Sequence, residues 1–314
     1  MQRYAWKYIR FLADLIFLLQ FGNQALAQDL DPRAYVWAPV KANFIVTGFA
    51  FSQGGVVTDP TLPVENLKAS VQTPSLGYGH TFNLLGKTAQ AFAALPYSWA
   101  QASADVNGQR ESLSRAGLSD MRLRLSVLLL GAPATTREHF ANVKHKTILA
   151  MSLNVVAPTG QYFSDKLINL GTNRWSFRPE LALSHPMGKH WLMDIYTGLW
   201  LFTNNNHFYT GDAVRSQAPM GTIQAHLSYS IKLKMWVALD ATFYTGGQSS
   251  VNDVGKDDRQ SNSRIGATLV MNMWKKNSFK FAVSRGAIVR FGANFTTVSI
   301  GWQRSWFGKP KSRK

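Results

Sequence analysis

The sequence predicts an all-β protein, a transmembrane antiparallel up-and-down β-barrel of about twelve strands. Three observations predict it. Segments of about ten residues alternate apolar and polar side chains, the pattern of a strand with one greasy and one wet face. About ten residues is also the length a tilted strand needs to cross a bilayer. The connections between segments alternate long and short, and aromatic residues collect at segment ends. No apolar run reaches the roughly 18 residues of a membrane-spanning helix, although 46% of the 314 residues are hydrophobic. In lipid only a helix or a closed barrel satisfies its own backbone, so the alternating segments point to the barrel. A soluble sandwich is the main rival, but its apolar faces would need a second sheet to cover them.

The chain opens with an export signal over residues 1–27. Arg3, Lys7 and Arg10 form a basic start, Phe11 to Leu19 an apolar core, and Ala25-Leu26-Ala27 a small-residue cleavage site. Residues 28–42 carry Pro32 and Pro39 and no clean period. They read as a periplasmic lead-in or a small plug. The barrel is expected over 43–307 and a basic tail over 308–314.

The expected strands are 43–51, 68–82, 88–100, 118–129, 147–157, 174–184, 191–202, 221–231, 235–245, 263–273, 278–286 and 294–306. Three show the alternation best. Met121, Leu123, Leu125 and Val127 oppose Asp120, Arg122, Arg124 and Ser126. Trp175, Phe177, Leu181 and Leu183 oppose Arg174, Ser176, Arg178 and Glu180. Ile265, Ala267, Leu269 and Met271 oppose Arg264, Gly266 and Thr268. The pair 221–231 and 235–245 is the clearest hairpin. Long connections at 52–67, 101–117, 158–173, 203–220 and 246–262 fall between short ones, as long outer loops and short periplasmic turns require. One turn, 130–146, is long where a short one is expected; Thr135 or Thr136 with Glu138 there marks a helical turn. Trp99, Trp175, Phe202 and Tyr244 at the outer ends, and Phe82, Trp191, Trp236, Trp274, Trp302 and Trp306 at the inner ends, read as two interfacial girdles.

A formal charge of +17 would ordinarily suggest nucleic acid. Its distribution excludes that reading. Acidic residues outnumber basic ones in the long loops, whereas the short turns and tail carry Lys87, Lys144, Lys146, Lys189, Lys232, Lys234, Lys275, Lys276, Lys309 and Lys311. Lysines there suit anionic headgroups of the inner leaflet or simple solubility. The strand charges Arg122, Arg124, Arg174, Arg178, Glu180, Asp194, Asp240, Arg264 and Lys280 all share the polar parity. Facing lipid at mid-depth, each Arg or Lys would cost about 2–4 kcal/mol, so they line the interior. Two readings coexist: an ion-pair network that fills a narrow barrel, and an electropositive constriction for anionic solutes.

His226 and Ser228 sit on one arm of the central hairpin, and a three-residue turn centred on Leu233 puts Asp240 opposite His226. Ser, His and an acid are the parts of a nucleophile triad. The H-x-S spacing resembles the outer-membrane phospholipase A family, also a twelve-stranded barrel, with a Ser–His–Asn site. Two departures stand against it: an Asp replaces the Asn, and His226 and Ser228 share the lumen parity rather than the lipid parity. A buried His–Asp pair bracing the lumen is the bland alternative. There is no Cys, no metal-ligand spacing of His and no phosphate-cradling Gly loop, so no cofactor or metal is expected.

Seven stretches carry a wider resemblance: DPRAYVWAPVKANFIVTGFAFSQGGVVTDPTLPVEN (31–66), GLSDMRLRLSVLLLGAPA (117–134), APTGQY (157–162), NLGTNRWSFRPELALSHP (169–186), RSQAPMGTIQAHLSY (215–229), ALDATFYTGG (238–247) and NSRIGATL (262–269). They resemble the outer-membrane transporter family named for the meta-pathway of phenol degradation. The resemblance implies an outer-membrane barrel with a transport role and assigns no binding residue. The expectation is therefore an outer-membrane channel for small organic solutes, aromatic or anionic, whose partners are lipid and solute and not nucleic acid. An outer-membrane phospholipase or esterase and a non-conducting structural barrel are the alternatives.

Overall fold

A computed structural model describes residues 30–308, apart from 58–63, 107, 141–145, 167–168, 210, 233 and 275. The export signal, all of the tail but Gly308, and Lys144, His145, Leu233 and Lys275 lie outside the described residues.

In chain order the strands are β1 (Ala42–Val57), β2 (Val64–Leu84), β3 (Lys87–Val106), β4 (Gln109–Leu118), β5 (Met121–Leu130), β6 (Ile148–Ala157), β7 (Ser176–Met187), β8 (Trp191–Phe202) and β9 (Asn205–Phe208). They continue with β10 (Ala213–Gln217), β11 (Met220–Lys232), β12 (Met235–Gly246), β13 (Ser249–Val251), β14 (Val254–Gly255), β15 (Gln260–Met273), β16 (Asn277–Val289) and β17 (Gly292–Phe307). One helical turn, α1 (Arg137–Phe140), lies between β5 and β6.

The barrel is closed, antiparallel and twelve-stranded. Each barrel strand pairs with its neighbours in sequence, and β1 pairs with β17 from Ala42↔Phe307 to Val57↔Gly292. That pairing removes both sheet edges, as lipid demands. β4 and β5 are two halves of one barrel strand: β3 pairs with β4 over Tyr97↔Leu118 to Val106↔Gln109, and with β5 over Ala89↔Val127 to Ala94↔Arg122. The expected loop 101–117 is therefore mostly a hairpin that prolongs the wall. The expected loops 203–220 and 246–262 contain β9, β10, β13 and β14, which form a separate four-stranded sheet at the long-loop end. Short polar runs there gave no period to read.

Side chains sort by parity. On β11 the residues Thr222, Gln224, His226 and Ser228 are buried, while Ile223 and Leu227 are exposed. On β12 and β15 the outward Leu239 is 68% exposed and the outward Ile265 is 56% exposed. Exposed apolar faces all round the wall are what a hydrocarbon solvent selects. Because that face is fixed, a charge on it is expensive. Leu239→Arg is expected to destabilise the barrel by about 2–4 kcal/mol, and Ser299→Gln, on the lumen side, by far less; urea unfolding in phospholipid vesicles measures both.

The turn after β2 shows local sequence fixing register. Leu85 and Gly86 both have positive φ, 48° and 81°, the type I′ geometry that matches strand twist. The Gly86 N–H donates to Asn83 Oδ1 at 2.8 Å. Inside the wall, Gly79 makes room rather than a turn, since a Cβ there would lie 2.0 Å from the Phe44 ring.

Three girdle residues point the other way from the expected one. Tyr244 is buried and packs with Trp200 and Met220, and Phe202 lies against the same cluster. Trp236 has the Arg33 guanidinium 4.4 Å from its ring centroid. All three carry lumen parity, so position at a strand end marked depth without marking face. Trp99, Trp175, Trp191, Trp274 and Trp306 are exposed, as a girdle requires.

Candidate functional site

Residues 30–41 enter the lumen from the short-turn end. The Lys41 N–H donates to Thr81 O at 2.7 Å and the Val40 N–H to Thr135 O at 3.0 Å. The Trp37 indole donates to Pro133 O at 3.0 Å and packs edge-on against Phe140, centroids 5.3 Å apart. The anomalously long turn 130–146 thus has a use: Pro133, Thr135 and α1 form a collar around the entering chain. The Phe140 N–H donates to Thr136 O at 3.1 Å, the helical turn expected there.

Further in, the lead-in binds the wall through buried polar groups. The Tyr35 hydroxyl donates to Glu180 Oε1 at 2.5 Å and lies 2.7 Å from Ser152 Oγ. The Ala34 N–H donates to the Tyr196 hydroxyl at 3.2 Å. The Arg33 N–H donates to Asp194 Oδ2 at 3.1 Å, and its guanidinium donates to Ser230 Oγ at 2.9 Å. Ser184 also donates to Asp194. Beyond these, Asp31 spans the lumen: one carboxylate oxygen lies 3.2 Å from Arg124 Nη1 and the other 2.9 Å from Lys280 Nζ. Burial alone would raise the Asp31 carboxyl, but Lys280 and Arg124 outweigh it and hold it well below the usual carboxylate range.

Above the lead-in lies a cavity of about 400 Å³. Of the residues assigned to the lumen from sequence, Arg122, Arg124, Arg178, Glu180, Asp240, Arg264 and Lys280 line it together. Phe92, Tyr196 and Trp200 supply aromatic surface, and Asp31 reaches it from the lead-in. Arg178 pairs with Glu180 at 3.3 Å, and its guanidinium lies 5.0 Å from the Trp200 ring centroid. Arg264 donates to Ser284, Phe295 O and Thr297, which staples β15 to β16 and β17. The buried Arg178 Nε and Trp200 Nε1 have no acceptor among the described residues.

Three residues assigned to the lumen from sequence do not line this cavity. Asp194 and His226 face inward at the level of the lead-in, where Asp194 accepts from the Arg33 N–H and the His226 ring centroid lies 5.1 Å from that of Tyr196. Arg174 precedes β7 rather than lying on it, and sits at the long-loop end, bonded to Gln217 and 4.6 Å from the Phe202 centroid. A strand boundary shifted by two residues moved it out of the barrel proper. Sequence reading also missed Asp31 and Tyr35, because an aperiodic segment gives no signal of where its side chains go.

The hairpin register is the expected one, His226↔Asp240, although a bulge falls between Ser230 and Lys232. His226 Nδ1 lies 2.7 Å from Asp240 Oδ1, and Thr268 donates to Asp240 Oδ2 at 2.7 Å. Among the described residues neither Ser228 Oγ nor His226 Nε2 has a hydrogen-bond partner, so the two do not make the nucleophile–base contact of a triad. Both residues are buried at 1% exposure or less and neither lines the cavity. The geometry is that of a buried brace between β11, β12 and β15.

Residues 47–306 match the model of a family described as "Putative MetA-pathway of phenol degradation". The fold is similar to the COG4313 outer membrane channel from Pseudomonas putida F1, with a TM-score of 0.75 and 21% identity over 88% of this chain and 100% of that one. It is also similar to the transport unit of the autotransporter AIDA-I from Escherichia coli, with a TM-score of 0.56 and 11% identity over 94% of this chain and 98% of that one. At these identities the likeness concerns the fold. No curated protein matches the chain.

Proposed function

The chain belongs to this phenol-degradation family, and from that premise we propose that it is an outer-membrane channel for small organic solutes, aromatic or anionic, with residues 30–41 as its plug. The observation that carries the proposal is the cavity itself. A closed wall, apolar outside, encloses a wet chamber where Arg122, Arg124, Arg178, Arg264 and Lys280 outnumber Asp31, Glu180 and Asp240. Side chains of one sign in a low-dielectric channel favour the counter-ion. Aromatic surface from Phe92, Tyr196 and Trp200 suits a ring on the solute.

The non-conducting barrel has one observation in its favour, the latched lead-in, and bilayer recording separates the two. Protein inserted in a planar bilayer is expected to give small discrete steps with a reversal potential on the anion side under a salt gradient. Arg122→Gln should lower that anion preference. Folded, inserted protein that never conducts would overturn the channel. Against the hydrolase alternative stands the buried Ser228 hydroxyl, which has no hydrogen bond to His226 among the described residues.

A further inference from the structure

We infer that the cavity is a carboxylate receptor whose resident ligand is the chain's own Asp31, and that an aromatic carboxylate entering the cavity displaces it and unlatches the lead-in. The inference rests on the channel reading above and names its solute class and gate.

The receptor is already occupied by the chemistry it would take. Each oxygen of Asp31 meets a different cation, Arg124 of β5 and Lys280 of β16. These strands are separated by β3, β2, β1 and β17 along the shorter way round the wall. One carboxylate therefore neutralises two walls of the lumen, and a free carboxylate at the same point would do the same. The wall's own acids are otherwise engaged: Glu180 by Arg178 and Tyr35, Asp240 by His226 and Thr268. An incoming anion and Asp31 thus compete for the same pair of cations.

The ring preference follows from what surrounds that pair. The Arg124 guanidinium lies 5.9 Å from the Phe92 centroid, and Phe92 stacks on Phe44 at 6.0 Å. A carboxylate held by Arg124 would carry an attached ring into this aromatic surface. A volume of about 400 Å³ falls within the range of small-ligand pockets.

Tethering sets the size of the effect. An internal ligand competes at an effective concentration of order millimolar, so it masks the receptor until solute is abundant. Asp31 lies on the lead-in, outside every strand, so Asp31→Asn leaves the barrel pairing intact. Calorimetric titration of the folded full-length protein with benzoate is expected to show binding tighter by roughly tenfold or more in Asp31→Asn than in the parent. Phenol, with the ring and no carboxylate, should bind neither. Adding Arg124→Gln or Lys280→Gln to Asp31→Asn should abolish benzoate binding, and retention of the heat-modifiable band on gels checks folding. Equal benzoate affinity in parent and Asp31→Asn, or phenol binding as well as benzoate, overturns the inference. The two readings fail separately: steps in bilayers with unchanged benzoate affinity leave the channel and remove the receptor, whereas no steps from any variant removes the channel.

Discussion

Deleting residues 30–38 is expected to raise single-channel conductance several-fold without unfolding the barrel. The deleted stretch supplies Asp31, Arg33, Tyr35 and Trp37, whose bonds reach β5, β6, β7, β8, β11 and β16 and the collar between β5 and β6. None of those bonds is part of the ladder that closes the wall, which runs from β1 to β17 without the lead-in. Removing the segment therefore empties the lumen and leaves the backbone pairing intact. Acid should not imitate the deletion easily. The Asp31 carboxyl is depressed in the folded protein, so its contribution is present at ordinary pH and lost only as pH falls through the depressed value. Conductance is expected to stay low through mildly acidic pH and to rise only in strong acid. Bilayer recording across a pH series tests this, and an opening at mild acidity would show that another group holds the latch.

Asp240→Ala should be the most destabilising single change in the wall. Asp240 is buried and accepts from His226 and Thr268, which belong to the strands on either side of β12. Truncation strands two buried partners, a loss of about 3–5 kcal/mol by analogy with broken buried pairs. Asp240→Asn keeps the shape and one acceptor, and should cost roughly 1–2 kcal/mol. Ser228→Ala supplies the contrast. The Ser228 hydroxyl is buried without a partner among the described residues, so its removal should leave stability unchanged or slightly higher. Urea unfolding in vesicles ranks the three, and a Ser228→Ala loss comparable to that of Asp240→Ala would contradict the assigned bonding.

The sequence determined the barrel, its strand number and, within each strand, the parity that faces inward. Lipid accepts one parity and rejects the other, so every strand carries its orientation in its own residues, as Arg122 and Arg124 between Met121, Leu123 and Leu125 illustrate. The same parity rule gave the opposition of His226 and Asp240 before any coordinate did, because an antiparallel hairpin with a short turn has few registers open to it. Parity stops at the wall. Only the tertiary structure decided that residues 30–41 turn back into the lumen, that Asp31 meets Arg124 and Lys280, and that Arg174 leaves the barrel for its mouth. Those contacts join residues up to 249 positions apart through a segment with no period. Their geometry depends on the closed cylinder, which exists only after β1 has met β17.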